Sequence, residues 1–254
     1  MTINADGTNA SLDAASLATG GNTLLAMMTV ADRELISPFC TRQKFLRGAV
    51  LAEANELPDA LYFIEHGVAS VVTLYPDAQR TEIALIGPET FVGAPVVIGD
   101  GRWPYRTFVQ VDQISAVRLP LAHALTALQQ SRDLERLLTQ AVYAQLVQIA
   151  EGLVSAAWQR LDARLARWLL MYRDRLQSDR LDVTHEFMAM MIGAQRTGVT
   201  EALHDLEGAG LITAQRGLVI IRDTDGLRQL ADYGYGVSEA EYGRLFSRDR
   251  SPSQ

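Results

Sequence analysis

Gln195, Arg196, Thr197, Thr200 and Glu201 stand within one seven-residue stretch of this 254-residue chain, and each can address a base pair. An arginine bonds O6 and N7 of guanine bidentately, a glutamine pairs with adenine, a glutamate accepts from cytosine, and a threonine touches phosphate or a thymine methyl. Each good pairing discriminates by roughly 1–3 kcal/mol, so three or four per half-site suffice for sequence recognition. These side chains read bases only when a rigid helix carries them into the major groove.

The flanking residues predict that helix and the partner that orients it. Thr184 is placed to cap a first helix, with Glu186 in its first turn, where the helix dipole favours an anion. Met188, Ala189, Met191 and Ile192 make its inner face. A second helix runs from about Gln195 to Glu207, burying Val199, Ala202, Leu203 and Leu206. Ala189, Gly193 and Val199, four and then six apart, each have a steric reason: close crossing, a left-handed turn, and a plug for the angle between the helices. That is the pattern of a helix-turn-helix. Gly208-Ala209-Gly210 then breaks the second helix, and residues 211–214 and 218–221 read as strands around the tight turn Gln215-Arg216-Gly217. A hairpin in this place is a wing, its tip arginine set to meet phosphate. The expected DNA contacts are Thr184, Gln195, Arg196, Thr197, Thr200, Glu201 and Arg216.

Upstream, residues 121–156 read as one long helix. Leu134, Leu137, Leu138, Ala141, Val142, Gln145, Leu146, Ile149 and Leu153 recur at three and four residues. So long an apolar stripe exceeds what a small domain covers, so pairing with a second copy is expected through Leu134, Leu138, Ala141, Val142, Gln145, Leu146, Ile149 and Leu153, with packing inside one chain as the alternative. Between Gly48 and Leu119 lie short β-type segments at 50–52, 60–64, 69–74, 81–86, 105–111 and 114–119, parted by turn residues such as Pro76-Asp77 and Gly87-Pro88. No helix-length segment separates them, which predicts an antiparallel roll. A helix is expected from Asn22 or Thr23 through Met28 toward Pro38, and another near residues 162–176. The predicted fold is α+β: a jelly-roll-like β-roll (22–120), the long helix (121–156) and a winged helix-turn-helix (157–231). Residues 1–21 read as a mobile tail and 232–254 as a C-terminal tail.

Roll, long helix and winged helix-turn-helix in this order resemble the Crp/Fnr family of bacterial transcription regulators from about Asn22 to Ala231. The runs Arg164-Leu165-Ala166-Arg167-Trp168-Leu169-Leu170, residues 184–193, and Arg196 followed by Gly198-Val199-Thr200-Glu201-Ala202-Leu203 carry the likeness, with Tyr62-Phe63, Val68-Ala69-Ser70 and Phe91-Val92-Gly93 in the roll. The resemblance implies a cyclic-nucleotide-binding-like sensor, a homodimer through the long helix, a pseudo-palindromic operator in double-stranded DNA, modulation by an effector, and contact with RNA polymerase in an activator. Nucleotide-binding members place a Glu after the sensor glycine, for the ribose, and an Arg-Ser pair on the phosphate. Here Gly93 is followed by Ala94, and the second region reads Tyr105-Arg106-Thr107. A methyl group accepts no hydrogen bond, so cyclic AMP is not the expected ligand. Gly93, Arg102, Tyr105, Arg106 and Gln110 are left as candidates around an effector pocket, with a degenerate sensor as the alternative.

A single cysteine, Cys40, excludes an internal disulfide, a Cys-ligated zinc and a Cys-held iron–sulfur cluster. An enzyme is not expected. His185-Glu186-Phe187-Met188-Ala189 has alanine where a zinc-protease helix needs its second histidine, and neither a phosphate-binding G-x-x-x-x-G-K-[ST] loop nor a G-x-S-x-G elbow occurs. There is no run of about 18 apolar residues, and residues 1–22 hold no Lys or Arg, so neither a membrane partner nor export is expected and the cytoplasm is the predicted compartment. The net charge of −7 argues against a polyanion partner until it is divided: residues 158–222 carry nine arginines against eight acids. The acidity sits outside the reading segment. A scaffold that kept the fold without binding DNA is the remaining alternative.

Overall fold

The computed structural model describes residues 12–73 and 81–246. Helix α1 (Ala14–Thr19) opens them, where a mobile tail was expected over 1–21; residues 1–11 lie outside the described part. Asp13 and Ser16 cap it reciprocally, and Leu17 is fully buried. Leu17 is the one large apolar residue in six and sets no period, so only the cap could have signalled this helix. Asn22 caps α2 (Thr23–Met27) as expected, and its amide donates to the carbonyls of Ile64 and Thr90, both at 2.9 Å, tying the helix to the roll. The run toward Pro38 is not one helix: the chain turns extended at Met28, and Thr29 caps α3 (Val30–Ile36).

Among the described residues seven strands form the roll: β1 (Thr41–Leu46), β2 (Val50–Ala52), β3 (Ala60–His66), β4 (Ala69–Val72), β5 (Glu82–Ile86), β6 (Arg106–Val109) and β7 (Gln113–Pro120). They pair antiparallel in two sheets, β1-β7-β3 and β2-β6-β4-β5. The expected Leu74 end of β4 and the Pro76-Asp77 turn fall outside the described residues. Strand β1 was not foreseen, because as an edge strand it carries Arg42, Gln43 and Lys44 in place of an apolar alternation. A short helix, α4 (Ala94–Ile98), follows Gly93, whose φ of +114° and 2.4 Å clearance from Leu61 Cδ2 exclude a side chain.

The helix expected across 121–156 is two, α5 (Leu121–Gln130) and α6 (Arg132–Trp158). Ser131 is extended between them, and its hydroxyl accepts from Leu134 N at 3.1 Å. The apolar period runs through this break, which hides the cap. Then come α7 (Leu161–Leu176), β8 (Arg180–Leu181), α8 (His185–Met191), α9 (Arg196–Gly208), β9 (Ile212–Gln215), β10 (Leu218–Ile221), α10 (Thr224–Ala231) and α11 (Val237–Phe246). The expected C-terminal tail therefore holds a helical turn at Asp232–Gly234 and then α11, up to Phe246. Helix α11 packs on α6, with Leu245 buried and Phe246 against the core that holds Leu17 and Leu24. Roll and C-terminal part share one core: Val68, Val72 and Leu85 join Trp168, Leu169, Tyr172 and Met188. No helix among the described residues is long and apolar enough to cross a membrane.

Candidate nucleic-acid interface

Helices α8 and α9 meet as the spacing predicts. Thr184 Oγ1 accepts from Phe187 N at 3.1 Å, and Gly193 takes a φ of +61° in the turn. Met188, Ala189, Met191, Ile192, Val199, Ala202, Leu203 and Leu206 are all buried. Their burial turns Gln195, Arg196, Thr197 and Glu201 outward, where all four are exposed. Among the described residues Arg196 forms no ion pair with a neighbouring carboxylate, and α9 begins with no acidic residue in its first turn and no side-chain cap. Free N–H groups and an unpaired guanidinium at one helix end make an anion-accepting tip. Thr200 is committed differently. It is half-buried, its hydroxyl donates to Arg196 O at 3.0 Å, and a 3.0 Å hydrogen bond joins it to His185 Nδ1. It fixes the helix pair. Burial and the nearby Arg196 and His204 hold the His185 pKa below its ordinary value. His204 and Asp205, one turn further along α9, share the exposed face. The sequence reading passed over both, although their three- and four-residue steps from Glu201 marked them.

The wing is a three-stranded sheet, β8-β10-β9. The two-residue β8 was too short to show in the sequence. Arg216 is exposed in the turn beside Gly217, whose φ is +75°.

The five effector candidates do not converge. Gly93 and Tyr105 line a cavity in the roll together with Glu53, Glu56, Phe91 and Trp103. Arg102 lies exposed outside it, bonding the Asn55 carbonyl at 3.1 Å, and Arg106 is held by Glu53 at 2.8 Å. Gln110 belongs elsewhere: it is buried, and its amide donates to Glu82 at 3.1 Å where roll and α8 meet. The cavity measures about 30 Å³, the share of a single water in liquid, against the 300–1,000 Å³ of ordinary ligand pockets. Ala94 lines it without an acceptor. This lining does not fit a cyclic nucleotide.

Comparison with known proteins extends the site reading to the family. Residues 42–131 match the cyclic nucleotide-binding domain, and residues 163–230 match the Crp-like helix-turn-helix domain. The chain belongs to the Crp/Fnr family of DNA-binding transcription regulators. The global nitrogen regulator of Synechocystis is 21% identical over 215 residues, covering 81% of this chain and 94% of that protein. A CRP-like cAMP-activated global transcriptional regulator of Mycobacterium tuberculosis is 23% identical over 194 residues, covering 74% and 86%. In fold, a CRP/FNR-family regulator from Thermus thermophilus superposes with a TM-score of 0.64 at 22% identity, over 75% of this chain and 97% of that one. These relatives are regulators, and neither matched domain is a catalytic one.

Within this Crp/Fnr regulator, α6 corrects the expected pairing face. Leu134, Leu138, Ala141, Val142 and Gln145 are buried in their own chain, and Gln145 donates to Thr90 Oγ1 at 2.7 Å and to Phe91 O at 3.1 Å. Ile149 is half-buried against the roll. Only Leu146 and Leu153 of the expected set stay outside, at 61% and 71% exposure. The helix is apolar on two faces, and periodicity alone did not say which one the roll would take.

Proposed function

We propose that this regulator reads a pseudo-palindromic operator as a homodimer, with α9 in the major groove and Arg216 on the backbone. The reading is carried by the second apolar face of α6. Tyr143, Leu146, Ala150, Leu153 and Ala157 are all exposed and step along the helix by three and four residues, as the seam of a two-stranded coiled coil does. Two copies joined there present two recognition helices related by a two-fold axis, which sets half-sites about one helical turn apart. In α9, Arg196 is the foremost base-reading residue, with Gln195, Thr197 and Glu201 beside it. Thr184 and Thr200 orient the pair of helices.

Sedimentation of the wild type gives a dimer, and Leu146→Glu, which puts a charge into the seam, gives a monomer. An unchanged mass rejects the face. In fluorescence anisotropy on the operator, Arg196→Ala loses roughly 1–3 kcal/mol and relaxes one base position. Arg216→Ala instead weakens all sequences alike and lowers the salt slope by about 1. Equal small effects of both on operator and random duplex argue for the scaffold that has kept the fold only.

We further propose that cyclic AMP is not the effector. A carboxylate-lined cavity of about 30 Å³, with Arg106 already paired to Glu53, supports a roll that serves as scaffold.

A further inference from the structure

A second and larger cavity lies where the roll, the long helix and the helix-turn-helix meet. It measures about 400 Å³, within the range of small-molecule sites. Strand β5 forms one wall, α6 from Gln148 to Ala156 a second, and α7 with the end of α8 the third.

Its polar groups have an unusual balance. Arg164 and Arg167 both line it, and among the described residues neither forms an ion pair. Arg164 donates to the Ile192 carbonyl, and Arg167 to the carbonyls of Gly234 at 2.6 Å and Gln148 at 3.4 Å. Burial pulls both guanidinium pKa values below the ordinary one, the mark of charge removed from water without full compensation. One carboxylate, Glu82, also lines the cavity, but it is taken: one oxygen accepts from Trp168 Nε1 at 2.9 Å, the other from Ser70 Oγ at 2.6 Å and from Gln110 Nε2 at 3.1 Å. A third group lacks its partner outright. Gln148 is 2% exposed; its Oε1 accepts from Leu85 N at 2.9 Å, while its Nε2 has none. A buried donor left unmade costs about 1–3 kcal/mol. Apart from Thr81 and Ser155 the rest of the lining is apolar, chiefly Ile149, Leu153, Trp168, Met171 and Met191.

We infer that this junction binds a small organic anion with an apolar body, its carboxylate or similar oxyanion set against Arg164, Arg167 and the free Gln148 amide. Such a ligand supplies the acceptor oxygens that these three groups lack, and its body covers the apolar wall. Because it touches β5, α6 and the end of α8 together, its occupancy favours one placement of the reading domain on the sensor and shifts DNA affinity accordingly. That coupling rests on the DNA-binding reading above. Occupancy itself does not.

The test uses the full chain and three probes sharing one ring system: naphthalene-2-carboxylate, 2-naphthamide and 2-naphthylmethylamine, followed by calorimetry and by quenching of tryptophan emission. The carboxylate binds at least about tenfold more tightly than the other two, the ratio that one charge-assisted hydrogen bond supplies. Trp168→Phe removes the quenching signal. Gln148→Glu keeps the acceptor for Leu85 N but replaces the free donor with a carboxylate oxygen, and it abolishes the preference. Arg164→Gln does so independently, so a folding defect in one variant leaves the other to decide. Equal affinities for the three probes, no binding of the carboxylate, or a preference that survives both substitutions overturns the assignment. Arg196→Ala leaves carboxylate binding intact while it weakens operator binding and relaxes one base position, so the two readings fail separately.

Discussion

The roll and the junction each enclose a cavity, and they are lined in opposite senses. In the roll, Glu53 and Glu56 reach the lining, the neighbouring Arg106 is neutralised by Glu53, and Phe91, Trp103 and Tyr105 fill the space to about 30 Å³. At the junction Arg164 and Arg167 form no ion pair among the described residues, around about 400 Å³, and the one carboxylate in the lining, Glu82, is engaged by Ser70, Gln110 and Trp168. Free cationic charge and room for a ligand both lie at the surface the sensor shares with the reading domain, not in the sensor's interior. The roll then resembles a packed core more than a receptor. Its edge, where β5 meets α7 and α8, is the part whose polar groups are left incomplete.

The largest expected effect tests whether the roll is indeed a packed core. Phe91 is fully buried, stacks on Phe63 with ring centroids 5.8 Å apart, and lines the small cavity. Phe91→Ala removes about 3–5 kcal/mol of stability in urea unfolding, as truncation in a close-packed interior does. A loss below about 1 kcal/mol would mean a loose, ligand-ready roll. Leu153→Ala, at the exposed rim of the junction, changes the stability of the monomeric unit by less than about 0.5 kcal/mol.

A somewhat smaller effect lies in pH. Burial pushes the Glu82 carboxyl up from 4.5 to about 7, against the hydrogen bonds from Ser70 and Trp168 and the charge of Arg175. The folded protein thus holds this proton more tightly than the unfolded chain does. The resulting stability is complete below about pH 4.5 and is lost as pH rises toward about 7, a change of about 3 kcal/mol. Glu82→Gln carries no titrating proton. Its stability relative to the wild type therefore rises by that amount between about pH 4 and pH 7.5 in urea unfolding. A constant difference between the two proteins across this window would place Glu82 in contact with water and open the junction to solvent.

The contrast between the cavities also divides what the sequence could reveal. The helix-turn-helix is legible because its demands are local: Ala189, Gly193 and Val199 are each required by a contact within ten residues, and the outward set from Gln195 to Glu201 follows from that burial. The sensor is not legible in this way. Whether Arg106 faces a ligand or a carboxylate depends on Glu53, 53 positions away across the sheet, and Gln110 finds its partner on β5. Spacing carries neither pairing. Helix α6 failed for a different reason: it is apolar on two sides, so Leu138 and Leu146 read alike until the roll takes one of them. In α1 and α11 a few apolar residues such as Leu17 and Leu245 do the anchoring, without a period to announce them. Arg164 and Arg167 stood in plain view in the family-like run that begins α7, but no sequence pattern shows that β5 would meet them and leave them unpaired.

The smallest effect expected is that of cyclic AMP, and it bears most directly on the contrast. A ligand present at one hundred times its Kd, binding the folded state alone, stabilises it by about 2.7 kcal/mol, which thermal unfolding resolves easily. Cyclic AMP produces no such shift here, whereas naphthalene-2-carboxylate does. Ala94→Glu by itself does not create a cyclic AMP response: the new carboxylate restores an acceptor for the ribose, but Arg106 stays with Glu53 at 2.8 Å and Phe91 and Trp103 still occupy the space. Adding Glu53→Ala frees the guanidinium but enlarges the cavity by no more than one truncated side chain, still far short of the 300–1,000 Å³ of ordinary ligand pockets, so the double variant also fails to respond. A wild-type shift with cyclic AMP would reverse the comparison, because the roll would then have to open by an order of magnitude in volume and exchange the Arg106 partner on binding. The junction would become the passive cavity of the two.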